Sequence, residues 1–227
     1  MNDQPLLQWN EIPGASIYRV KVVNADTNET LWETSATSSG IDYPGQPHLQ
    51  PGVNYLLIIE TDDISSTVEN VPDLAFSVLS EIDAQQLRDD TQRITALDLT
   101  GEAENYALSL VYYHYGLRAE AIEMFETIAT ADNQHSIIFR WLGDLYYEVG
   151  LNALAEENYQ AAIMLAENSG NLEEQAIAQV GLAEVEAIFF RNDVATQLLE
   201  NARALYLTLG DIAAADRITI QIEELSS

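Results

Sequence analysis

Up to about residue 80 apolar and polar positions alternate with period two in short runs separated by turn residues, the pattern of strands with one buried face. Ser16-Ile17-Tyr18-Arg19-Val20-Lys21-Val22 puts Tyr18, Val20 and Val22 on one side and Ile17 on the other, and predicts the former as the core side. Asn24-Ala25-Asp26-Thr27-Asn28 follows, with Asn and Asp where a hairpin must tolerate left-handed backbone angles; Glu29 to Thr34 then reads as the return strand. Beyond a polar loop, Val53 to Thr61 predicts a strongly apolar strand and Leu74 to Leu79 the last one. Pro13-Gly14, Pro44-Gly45 and Pro51-Gly52 mark turns.

Near residue 80 the period changes. Ser80-Glu81-Ile82-Asp83 has the spacing of a capping box, a hydroxyl accepting from an orphan helix N–H while an acid three residues on answers it. Helix is expected from there to the end, interrupted near Asp98 to Gly101, Ala131 to Gln134, Ser169 to Asn171 and Leu209 to Asp211. The segments of about a dozen residues suit packed antiparallel hairpins. Apolar residues at 212, 215, 218, 222 and 225 form one stripe, as on a helix that caps a stack, and Glu81 to about Leu97 reads as the cap at the other end. The expected organisation is therefore a β domain over 1–80 followed by an all-α array over 81–227.

Internal repetition sharpens the second half. Tyr112, Gly116, Ala121 and Phe125 recur 34 residues later as Tyr146, Gly150, Ala155 and Tyr159. Leu142-Gly143-x-x-Tyr146 with Ala155-x-x-x-Tyr159 resembles the tetratricopeptide repeat, in which small residues lie where two helices cross and aromatics fill the gap beside them. A third copy follows at a spacing of 40: Leu182-Ala183, Ala195, Leu199 and Ala202. Its six extra residues fall beside Glu167 to Glu173 and predict longer helices with a longer turn; Glu186 stands where the aromatic Tyr146 stood. The resemblance implies about three hairpins plus caps in an α-solenoid.

In the first half, Leu7-x-Trp9, Pro13-Gly14-Ala15, Tyr18-x-Val20-x-Val22 and Leu49-x-Pro51-Gly52-x-x-Tyr55 resemble a fibronectin type III domain. That resemblance implies a β-sandwich over roughly residues 4 to 80, with Tyr55 as a tyrosine corner whose hydroxyl bonds to upstream backbone. It departs from the family where the tryptophan strand begins almost at residue 5, with no room for the usual first strand. Either an edge strand is absent or upstream residues were removed; a removed signal peptide plus first strand would make the protein extracytoplasmic. Bacterial proteins that combine the two modules, cyanobacterial ones in particular, look similar.

Charge decides which partners are plausible. Nine basic residues face 37 acidic ones, for a net charge of −28, and Lys21 is the single lysine. Phosphate backbones and anionic lipid surfaces are held chiefly by Lys and Arg, so nucleic acid and direct membrane binding are excluded, and a neutral or basic protein partner is expected. Without cysteine there is no disulfide, thiolate metal site or cysteine nucleophile. His48, His114 and His135 are isolated, none at the i, i+4 spacing of a helical zinc site, and no glycine-rich phosphate loop occurs. Asn24-x-Asp26-x-Asn28 lacks the glycine and glutamate of a calcium loop and reads as a turn. No cofactor, metal or catalytic residue is expected.

In tetratricopeptide arrays the first helix of each hairpin lines the concave face. With Gly143 as the eighth position of the repeat, the ligand-facing set is Tyr106, Leu110 and Tyr113, with Ala103, in the first hairpin. The second offers Ile137, Arg140, Asp144 and Tyr147; the third offers Val180 and Glu184, with Ile177 and Ala187. Tyr106, Tyr113 and Tyr147 would form an amphipathic aromatic patch, with Arg140 and Asp144 as the polar groups that fix an extended or helical peptide. Arg140 stands alone among these positions, which disfavours capture of a C-terminal carboxylate. The expected function is a non-catalytic adaptor or scaffold; the alternative is a cell-wall or polysaccharide module using the β-sandwich, which an exposed Trp9 or Trp32 would favour.

Overall fold

The computed structural model describes residues 5–61, 75–99, 101–130 and 135–225, and the chain divides into two compact units, Met1–Asp90 and Thr91–Ser227. In the first, six strands are described: β1 (Leu6–Gln8), β2 (Tyr18–Asn24), β3 (Thr30–Ala36), β4 (Gly40–Asp42), β5 (Asn54–Glu60) and β6 (Ala75–Ser77). They pair antiparallel as a four-stranded sheet, β3-β2-β5-β6, and a separate pair, β1-β4. Tyr18, Val20 and Val22 are buried and Ile17 is exposed, as the alternation requires. Val23 is buried too, on the opposite side of β2 from Val22; the β2–β3 register shifts there with Leu31 of β3 as the extra residue, while β2 pairs with β5 without a break. Strand β4 lies within the expected polar loop; Ile41 sits opposite Leu7 of β1, and both pack into the cluster that holds Val22 and Tyr55 of the other sheet.

Local chemistry sets the turns. Asn28 adopts φ 58°, and the Asn24 side-chain oxygen accepts from the backbone N–H groups of Asp26 and Thr27, each at 2.9 Å. The Tyr55 hydroxyl accepts from the backbone N–H of Gln50 at 2.8 Å, the upstream contact expected of it. Trp9 meets Tyr18 edge-on at 5.4 Å and Trp32 meets Tyr43 at 5.3 Å; both indoles are half-buried. Leu74, expected to begin the last strand, lies outside the described residues.

Eight helices are described: α1 (Glu81–Thr95), α2 (Glu102–His114), α3 (Arg118–Ile128), α4 (Ser136–Glu148), α5 (Asn152–Ser169), α6 (Leu172–Ile188), α7 (Asn192–Leu209) and α8 (Ile212–Leu225). At the start of α1 the Ser80 hydroxyl accepts from the Asp83 N–H at 3.1 Å and donates to the Asp83 carboxylate at 2.7 Å, so the acid answers the hydroxyl rather than the serine N–H. Helices α2 and α3, α4 and α5, and α6 and α7 pair as three hairpins, with α8 against α7. The expected break at Ala131 to Gln134 lies outside the described residues. The extra residues of the third copy lengthen helices, with 18 residues in α5 and 17 in α6 against 13 in α4. They do not lengthen the turn: Gly170 in the left-handed region and Asn171 suffice, with Asn171 N–H donating to the Ala166 carbonyl at 2.9 Å.

One aromatic ring interlocks three helices. A Cβ on Gly143 of α4 would lie 2.6 Å from Cδ1 of Tyr159 on α5, and a Cβ on Gly181 of α6 would lie 2.5 Å from its Cε1. The ring is buried between two bare stretches of backbone, which lets α4 and α6 approach α5 closely. Within the hairpins, Gly116 and Gly150 take φ 74° and 77° after α2 and α4; after α6 the same place is held by Phe190 at φ 59°, with 93% of its surface exposed. Glu186, in the place of Tyr146, is 3% exposed and is met by Arg191 Nη1 at 3.0 Å. Arg191 also reaches Glu156 of α5 at 3.0 Å. Among the described residues no helix is long and apolar enough to cross a membrane.

Candidate functional site

The first helices of the hairpins, α2, α4 and α6, carry all nine candidate residues. Tyr106, Leu110, Tyr113, Ile137, Arg140, Asp144, Tyr147 and Val180 are half-buried and Glu184 is exposed, so the face is partly packed and partly open. Tyr106 meets Phe125 edge-on at 5.8 Å; Leu110 and Ile137 pack on the cluster of the first two hairpins, and Val180 on that of the third. These four contribute apolar surface to a common wall. The remaining five meet through polar groups.

Two polar networks cross from helix to helix. In one, the Tyr113 hydroxyl of α2 donates to Glu148 of α4 at 2.8 Å, and Arg118, which pairs with the same carboxylate, lies 4.3 Å over the Tyr113 ring. That hydrogen bond, with burial added, pushes the Tyr113 phenol above its usual pKa. Its ring meets Trp141 edge-on at 5.1 Å. In the other, Arg140 donates from Nη1 to Asp144 at 2.5 Å and from Nε to Glu174 of α6 at 2.9 Å, while Tyr159 donates to the other Asp144 oxygen at 2.8 Å. Beside it, burial and then the negative charge of Glu184 on α6 raise the Tyr147 phenol of α4 above its usual pKa.

Arg140 is therefore no free anchor. It is one turn from Asp144 on its own helix and one repeat from Glu174, and both carboxylates hold it; burial alone would lower its pKa, but the two acids raise it. Arg140 and Asp144, expected as the polar groups that fix a peptide, are paired with each other on this half-buried face. Burial raises the pKa of Asp144 against the opposing pull of Arg140 and Tyr159. Glu184 is raised as well, by desolvation first and by the charge of Asp144, against a lowering contribution from Tyr147. Asp144, Glu148, Glu174 and Glu184 set four carboxylates against two guanidiniums, Arg118 and Arg140, which leaves the face with a surplus of negative charge.

Sequence reasoning missed Glu148, Arg118, Glu174 and Tyr159. The available signal was their separation: Arg140 and Glu174 stand 34 residues apart, and Tyr113 and Glu148 35, so each pair spans one repeat and faces across neighbouring hairpins. Among the described residues no group of three or more His, Asp or Glu is placed to hold a metal. Asp144 and Glu184 have raised pKa values on one face, as paired acids of a hydrolase would. Both Asp144 oxygens are occupied, by Tyr159 and by Arg140.

No protein-family model matches the chain, and no curated protein matches it. Among solved structures, the chain is similar to one described as a T3SS complex from Aeromonas hydrophila, at 21% identity and a TM-score of 0.50, over 58% of this chain and 86% of that one. It is also similar to PcrH from Pseudomonas aeruginosa, at 22% identity and a TM-score of 0.50, over 57% of this chain and 96% of that one. At such identities the likeness speaks to fold. The chain is a tetratricopeptide-like helical repeat preceded by a small antiparallel β region.

Proposed function

We propose that the protein is a non-catalytic adaptor that holds a neutral or basic segment of a partner protein against the face of α2, α4 and α6. The observation that carries this reading is the composition of that face: half-buried tyrosine rings on α2 and α4, the Tyr113 hydroxyl directed to an acid of the neighbouring first helix, and across α4 and α6 acids that bring the face to two more carboxylates than guanidiniums. Aromatic rings supply contact area at little entropic cost, and the unbalanced carboxylates favour cationic side chains over anionic ones. Nucleic acid and anionic membranes are disfavoured by the same charge.

We read the division of labour as 1–80 and 81–227, the first a fibronectin type III-like module. The Tyr55 contact and the shared cluster of the two sheets support that reading. The polysaccharide alternative loses ground because both tryptophans of the β region pack against tyrosines instead of standing clear of the surface. The test is site-specific photocrosslinking in cells of the source organism, with Tyr147→p-benzoylphenylalanine on the proposed face and Gln160→p-benzoylphenylalanine on the exposed side of α5. Crosslinks to one protein from position 147 alone, mapping to a segment without excess acid, are expected; equal products from both positions would remove the basis for this face.

A further inference from the structure

Beyond the tyrosines, the face ends in a cavity of about 240 Å³ closed by α8. Ala183 and Ala187 of α6, Leu199 of α7 and Leu225 of α8 line it together with Glu184 of α6 and with Gln221 and Glu224 of α8. Burial sorts these walls: Ala183 and Leu199 are buried, whereas both glutamates are exposed. The floor is apolar and the rim is acidic. We propose that this cavity takes one lysine or arginine side chain of the bound segment, its methylene stem on the alanines and leucines and its cationic head between Glu184 and Glu224.

The inference deepens the adaptor reading and rests on it. Long cationic side chains lay their stems on apolar surface and keep the charge at the edge, which matches a floor and rim of this kind. An anion would meet two carboxylates, and a purely apolar side chain would take water from Glu184 without replacing it. On the same face the Arg140 guanidinium is held by Asp144 and Glu174, and Glu184 feels the like charge of Asp144, a repulsion that an incoming cation relieves. Helix α8, which sequence alone casts as a cap, thus also furnishes one wall of the binding surface.

The test uses the full chain, 15N-labelled, titrated with Nα-acetyl-lysine amide and Nα-acetyl-arginine amide, and with Nα-acetyl-norleucine amide as the uncharged stem. The expected result is saturable shifts of the Glu184, Ala187 and Leu225 amides with the two cations, at an affinity about tenfold or more above norleucine, since a charge-assisted hydrogen bond is gained. Glu184→Gln with Glu224→Gln should weaken the cations about tenfold without lowering the melting temperature, while Glu157→Gln on exposed α5 should have no effect. Equal affinity for norleucine, or cation binding that ignores the double variant, overturns the proposal. A Tyr147 crosslink that persists at full yield in the double variant overturns the pocket and spares the adaptor reading. Lysine-amide binding with no Tyr147 crosslink spares the pocket as a cation site and overturns the adaptor reading.

Discussion

Gly143 and Gly181 test the packing that spaces the candidate face. In an ordinary helix interior, glycine to alanine stabilises by about 1 kcal/mol through helix propensity. Here the added methyl of Gly143→Ala would sit 2.6, 2.7 and 2.9 Å from three atoms of the Tyr159 ring, and that of Gly181→Ala 2.5 Å from Cε1, where ordinary contact begins at 3.4 Å. The ring cannot retreat, because each glycine blocks the movement away from the other. Overpacking a filled core costs roughly 1–3 kcal/mol and sometimes more, so a net loss of about 2 kcal/mol is expected for each single substitution. At roughly 2–4 °C per kcal/mol for a chain of this size, that lowers the melting temperature by about 4–8 °C. Calorimetry or denaturant unfolding monitored by circular dichroism reads it. In a Tyr159→Leu background the clash is relieved and both substitutions should turn favourable, a coupling of about 3 kcal/mol in a double-mutant cycle. A rise in melting temperature in either single variant, or a coupling near zero, would refute the wedge.

Three further outcomes follow from the same structure. Phe190→Gly should stabilise by about 0.5–1 kcal/mol in urea unfolding, because left-handed strain of about 1–2 kcal/mol outweighs the extra chain entropy of glycine; a destabilised variant would mean the exposed ring has a packing role. Tyr159→Phe removes the donor to Asp144 and should cost about 1.5–3 kcal/mol, as a hydrogen bond to a charged group, with no cost pointing to solvent replacing the hydroxyl. For pH, the raised pKa values of Asp144, Glu184 and Glu186 mean that the folded chain binds protons more readily than the unfolded one above the ordinary values of 3.8 and 4.5. Stability contributed by these groups therefore falls as pH rises through that window, so unfolding should need more denaturant at about pH 5 than at pH 7, and Arg191→Ala should widen the difference by leaving Glu186 without its partner. A stability maximum at or above pH 7 would contradict it.

Where periodicity was strong, the sequence was a sufficient guide. Tyr18, Val20 and Val22 alternate cleanly and are buried; a 34-residue repeat with a small residue at 143 and an aromatic at 159 is enough to place a hairpin crossing. The register also brought Tyr113, Arg140, Asp144, Tyr147 and Glu184 onto facing helices. What escaped were features with no period. Strand β4 is three residues long, too short to alternate, and Val23 is buried although alternation puts it on the side away from Val22. The second half of the Tyr159 clamp comes from Gly181, two positions before Ala183, which the repeat aligns with Gly143. The fate of Arg140 depended on Glu174, just outside the third set of face positions, and charge pairing between repeats is invisible to a reading made one repeat at a time.

The face itself is tested most directly by selecting random peptides against the immobilised full chain and mapping the best binder by hydrogen–deuterium exchange. Peptides rich in lysine or arginine, weakened by salt and protecting α2, α4 and α6, are the predicted outcome. Selected sequences that are acidic, or protection confined to the β region or to α3, α5 and α7, would contradict it.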